Sequence, residues 1–148
     1  MDVNTTFLNG SLEETIYMVQ PKEFVAKGQE KKLCKLQKSI YGLKQASRSW
    51  NIKFDQSVKS FGFVQSLDEP CVYKKCSGNV VVFLVLYVDD ILLIENDVGT
   101  LSLVKVWLST QFDMKDLGEA NHILGSSLCE IARKECWAYL RHPISMKF

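Results

Sequence analysis

The chain has 148 residues, 47% hydrophobic and 24% charged, with a net charge of +1. That length builds one domain with its own core, and that composition excludes a disordered, collagen-like or disulfide-dense chain. A net charge so near zero excludes a global field aimed at nucleic acid or membrane.

In chain order, Asp2–Phe7 is predicted as a strand, because Thr5, Thr6 and Phe7 favour one. Gly10 breaks it. Ser11 and Glu14 have capping-box spacing and predict a short helix. Ile16–Pro21 predicts a brief strand stopped by Pro21. Lys22–Lys32 is a charged loop, and Leu33–Leu36 alternates as a half-buried strand. Trp50, Phe54, Val58 and Phe61 then stack on one face of a helix. Ser47 is its predicted N-cap and Gly62 its terminating glycine. This stripe is expected to pack on a sheet and to carry no chemistry itself. Cys71–Lys75 and Asn79–Val88 predict two strands joined at Ser77–Gly78, and Ile91–Ile94 a third. A second helix starts at Asp97 and buries Leu101, Val104, Leu108 and Phe112. His122–Cys129 predicts a last strand. The fold class implied is α+β, with helices on one face of a largely antiparallel sheet in a split βαβ layout.

Local signals narrow the function. Lys31, Lys32, Lys35, Lys38, Lys44, Arg48 and Lys53 form a basic block with no acid among them. It is either a solvated face or a phosphate-contacting surface. The five cysteines form no C-x-x-C pair, and His122 and His142 lie far from metal-ligand spacing. Reduced thiols in an intracellular, cytoplasmic setting are expected, with no zinc. Asp2 directly after Met1 argues against a secretion signal. The apolar run Val80–Val88 is well under the ~18 residues that cross a bilayer, so no membrane partner is expected. The chain opens inside a strand, which predicts either a sheet edge there or missing text upstream.

The sharpest feature is "VVVFLVLYVDDILLIEND", Val80 to Asp97. It sets Asp89 and Asp90 side by side inside the most apolar segment. One reading is a two-residue hairpin turn at Asp89–Asp90. However, such turns prefer glycine, and adjacent carboxylates repel unless a cation screens them. The other reading is therefore a divalent-ion site, since Mg²⁺ takes oxygen ligands from one or two carboxylates plus phosphates and water. A third acid from a neighbouring strand would complete a clamp for two ions ~4 Å apart. Asp2 is the best candidate, because it starts a strand and has no helix to cap.

Three blocks, "DVNTTFLNG", "SIYGLKQASRSWN" and "LYVDDILLI", resemble in order and spacing the reverse transcriptase of Ty1/copia-type LTR retrotransposon Pol polyproteins. "EETIYMVQPKEF", "DEPCVYKK" and "FDMKDLGEANHILG" fit as well. The resemblance covers residues 1–128 and implies a polymerase palm with partial fingers. Residues 129–148 form a divergent tail. The implied activity is RNA-directed DNA synthesis from a dNTP onto a primer 3′-hydroxyl, on an RNA or DNA template, with two Mg²⁺ or Mn²⁺ ions as cofactors. By resemblance Asp2 and Asp89 hold both ions and Asp90 completes the site.

Phe7 stands where related enzymes carry an aromatic against the sugar 2′ position; a core phenylalanine is the other reading. Tyr41 and Gly42 match the motif against the incoming nucleotide. Gln45 and Arg48 would face template, and Lys44 either template or solvent. Leu124 and Gly125 resemble the segment at the primer terminus. Thr6 replaces a usual alanine, and Glu95 replaces a usual glycine, adding an acid expected near the metal site. The resemblance also implies partners absent from the chain: further fingers strands, a thumb and a ribonuclease H segment. Hence a truncated piece of a Pol polyprotein is expected, housed in a virus-like particle when the element is intact. A non-catalytic relic is the alternative.

Overall fold

The computed structural model describes residues 1–119 and the backbone of 122–123 and 126–127. The elements are β1 (Asp2–Val3), β2 (Tyr17–Val19), β3 (Leu33–Lys35), α1 (Ala46–Ser60), β4 (Val64–Gln65), β5 (Val72–Ser77), β6 (Val80–Tyr87), β7 (Asp90–Glu95), α2 (Val98–Gln111) and β8 (Met114–Lys115). A backbone hairpin, β9 (His122–Ile123) with β10 (Ser126–Ser127), follows. Six strands form one sheet in the order β4-β5-β6-β7-β1-β8. Every adjacent pair in it is antiparallel. β2 and β3 form a separate two-stranded sheet. The chain is therefore α+β with an antiparallel sheet and two helices. β1 sits between β7 and β8, so it is not an edge strand.

The apolar run in β6 is explained by burial on both faces. Val82, Leu84 and Leu86 join Trp50, Phe54 and Val58 of α1 and Val104 and Leu108 of α2 in one core. The alternate residue Phe83 packs on the other face with Val72, Val81, Val85 and Ile94. Both helices thus cover the same side of the sheet. α1 is stopped just past Phe61 by Gly62, whose φ of 93° is left-handed and suits glycine. α2 is capped by Asp97, whose carboxylate accepts from the Thr100 N–H at 2.8 Å.

Several predicted boundaries move. The first strand stops at Val3, because the Thr6 hydroxyl donates to the Val3 carbonyl at 2.9 Å and a 3₁₀ turn at Thr6–Asn9 begins. Phe7 therefore lies on a turn and not on a strand. Ser11 and Glu14 start no helix; both lie near the surface in irregular chain, with no apolar stripe to bury. α1 begins at Ala46, so Ser47 lies in the first turn, and Gln45 precedes it without a side-chain cap. Leu101 is only half-buried. The β5–β6 turn centres on Gly78–Asn79, one residue later than predicted.

Gly10 is required by space rather than by conformation. Its φ is an ordinary −68°. A Cβ there would lie 2.9 Å from the Ser49 Cβ and 3.2 Å from the Trp50 nitrogen. Gly10→Ala is expected to push the 3₁₀ turn off α1 and to cost about 1–3 kcal/mol, the usual range for overpacking. Urea unfolding checks it.

Candidate active site

β6 and β7 close through a turn whose two central residues are Val88 and Asp89, because Tyr87 pairs with Asp90. The predicted turn at Asp89–Asp90 is thus displaced by one residue. Val88 takes φ 51°, a left-handed conformation that costs a β-branched residue roughly 1–3 kcal/mol. Two donors hold the turn. The Trp50 indole N–H donates to the Val88 carbonyl at 3.0 Å. The Val3 N–H donates to the Asp89 carbonyl at 2.9 Å.

β1 brings the third acid alongside. Asp2 stands directly opposite Asp90. The flanking bonds, Ile91 N–H to Met1 carbonyl at 2.7 Å and Val3 N–H to Asp89 carbonyl, make this a non-hydrogen-bonded pair. In such pairs the two side chains share a face and approach most closely. On its other side Asp2 stands opposite Lys115 of β8. A row of acid, acid and base therefore crosses three strands. Like charges directly opposite are unfavourable, and Lys115 offsets part of that.

Asp89 adds an unmet demand. Its Oδ1 is buried and has no hydrogen-bond partner. A buried carboxylate oxygen without a donor is costly, and a cation relieves it. The donors are all carboxylate oxygens, which suit hard Mg²⁺ or Mn²⁺. Among the described residues no three His, Cys, Asp or Glu side chains gather closely enough to enclose a metal. The arrangement fits an ion that takes one or two carboxylates and completes its shell with phosphate and water.

Around the turn, Phe7, Ser47, Arg48, Trp50, Leu86 and Val88 line a cleft of about 520 Å³. Phe7 meets Tyr41 with ring centroids 4.8 Å apart, and it also packs on the core. Gly42 has φ 91°, and a Cβ there would meet nothing within 4 Å, so its conformation is what calls for glycine. All seven basic residues of the 31–53 block are exposed, Lys44 and Arg48 included, while Gln45 is half-buried. None of the seven joins a salt bridge among the described residues. Leu124 and Gly125 lie outside the described residues.

Two residues near the site were not singled out from sequence. The helical stripe marks Trp50 as core packing, and the signal of a further role is that a buried indole N–H needs a partner. Lys115 had no signal, because only strand register sets it beside Asp2.

Glu95 is not near these acids. It lies five residues along β7 from Asp90, about 17 Å at strand rise, and it pairs in register with Val82. Strand pairing is undisturbed. Burial, and then the neighbouring Asp97, push its carboxyl above the usual value of 4.5. A raised acid stabilises the fold less once it ionises, so stability falls as pH rises through that window. Glu95→Gln is expected to melt higher than the parent at pH 7. The difference should vanish as pH falls to 4.5 and below. Melting curves across that pH range check it.

A sequence profile described as "Reverse transcriptase (RNA-dependent DNA polymerase)" matches residues 1–139. The chain belongs to this family. It is similar to the "Retrovirus-related Pol polyprotein from transposon TNT 1-94" of Nicotiana tabacum, 48% identical over 93% of the chain. It is 38% identical over 84% of its length to the "Retrovirus-related Pol polyprotein from transposon RE1" of Arabidopsis thaliana. A "Truncated transposon Ty1-A Gag-Pol polyprotein" of Saccharomyces cerevisiae is 31% identical over 82%. The chain spans 10%, 8% and 10% of the length of these three relatives. They place it among Ty1/copia-type elements. The profile extends past Leu128, where the sequence resemblance was expected to end. No solved structure matches the chain. Membership in this reverse transcriptase family carries a general dependence on divalent metal.

Proposed function

We propose that this reverse transcriptase chain is the palm of a polymerase, with the β2–β3 hairpin as part of its fingers. The observation that carries the reading is the meeting of Asp2 and Asp90 across two strands, beside a buried, unpartnered Asp89 oxygen. The reaction joins the primer O3′ to the α-phosphorus of a dNTP, breaks the α–β phosphoanhydride bond, and releases pyrophosphate and the hydroxyl proton. Bound divalent ions supply charge neutralisation at the phosphates and favour the ionised 3′-hydroxyl.

The chain's own residues orient and exclude. Asp2 and Asp89 hold the two ions, with Asp90 as a weaker ligand. Strands β1 and β7 fix Asp2 and Asp90, and hydrogen bonds from Trp50 and Val3 hold the turn that carries Asp89, so little reorganisation remains at the moment of transfer. Phe7, braced on Tyr41, stands against the sugar 2′ position, and Gly42 passes beside the incoming nucleotide. Gln45, Arg48 and Lys44 face the template, where Arg48 meets phosphate. Leu124 and Gly125 attend the primer end. The partners are therefore a primed RNA or DNA template, a dNTP and the remaining segments of a Pol polyprotein.

Primer extension on an RNA template, with Mg²⁺ or Mn²⁺, tests this on the parent beside Asp89→Asn. The chain spans about a tenth of its relatives' length, so only weak metal-dependent extension is expected, by the parent alone. Extension by neither protein overturns the polymerase reading for this chain.

A further inference from the structure

We infer that Trp50 is a positioning residue for the Asp89 turn, an assignment that rests on the polymerase reading above. Trp50 is only 2% exposed, and its indole N–H donates to the Val88 carbonyl at 3.0 Å. Val88 has a positive φ, yet nothing about its side chain explains this. It is β-branched, and it is 51% exposed, so packing does not hold it in place.

What holds the conformation is the pair of bonds on successive carbonyls. α1 supplies the donor to Val88, and β1 supplies the donor to Asp89. The indole is itself fixed by rings, with centroids 5.4 Å from Phe54 and 5.1 Å from Phe112. A core helix thus sets the plane of the Val88–Asp89 peptide, and that plane sets the direction in which the Asp89 carboxylate leaves the backbone. Without the bond, Val88 is free to return to negative φ, and the Asp89 carboxylate loses its set direction beside the Asp2–Asp90 pair.

Trp50→Phe keeps an aromatic ring between Phe54 and Phe112 and removes the N–H. Val88→Gly removes the conformational cost of positive φ. The experiment compares the parent, each single variant and the double variant by Mn²⁺ titration, read from the paramagnetic signal of free ion, together with melting temperature. Trp50→Phe is expected to weaken Mn²⁺ binding by up to about ten-fold, the size of one net hydrogen bond. The double variant is expected to recover most of that loss, which a purely structural role does not predict. Undiminished binding by Trp50→Phe overturns the proposal. So does a loss that Val88→Gly fails to recover.

If the parent and Asp89→Asn bind Mn²⁺ equally or not at all, the metal reading fails instead. The tie is then judged on the Trp50 indole proton alone by NMR. Slow exchange with water supports it, and exchange as fast as free tryptophan overturns it.

Discussion

Asp89→Asn is expected to lower metal-dependent primer extension by at least about a hundred-fold, while the melting temperature stays level or rises. The amide keeps the shape of the carboxylate and removes its charge. Metal-held charge neutralisation supplies several kcal/mol at the transferred phosphate, and each ~1.4 kcal/mol of lost stabilisation is ten-fold in rate. Stability moves the other way for a separate reason. The Asp89 Oδ1 is buried without a donor, and the next residue, Asp90, stands opposite a third acid, Asp2. Removing one negative charge relieves both strains in the metal-free protein. Single-nucleotide extension rates and melting curves, run together, check the opposed signs. An unchanged metal requirement in the variant would move the ion site elsewhere.

Phe54→Ala is expected to have the largest effect on stability, a loss of about 3–5 kcal/mol. Domains of this size hold only about 5–15 kcal/mol in total. Phe54 is fully buried at the centre of the core. Its ring lies 5.4 Å from Trp50, 5.9 Å from Tyr73 and 5.8 Å from Phe112. It therefore joins α1 to the sheet and to the end of α2, and no single neighbour can fill the void. Urea unfolding gives the loss directly. Phe54→Leu, which keeps most of the volume, should cost much less.

Features set by burial were legible in the sequence. The stripe Trp50, Phe54, Val58 gave α1, and the apolar runs of β6 and β7 gave the hairpin, because water decides both patterns. Features set by single hydrogen bonds were not legible. The Thr6 hydroxyl on the Val3 carbonyl cut β1 short against strong strand propensity. The turn falls on a valine that no turn preference would select, and the Trp50 indole N–H donates to that valine's carbonyl. The acids of the site showed the same division. Asp89 and Asp90 announced themselves by sitting together in apolar text. The choice of Asp2 gained its force from family likeness, and its seat opposite Asp90 and Lys115 belongs to strand register.

β1 is two residues long and finds both of its neighbours far along the chain. Closing loops of that span is slow and entropically costly. On a ribosome, the side chain at position 2 waits until Lys115 has emerged before its surroundings exist. A half-made or misassembled chain would not set Asp2 between Asp90 and Lys115, so that row of charges exists only once tertiary assembly is complete.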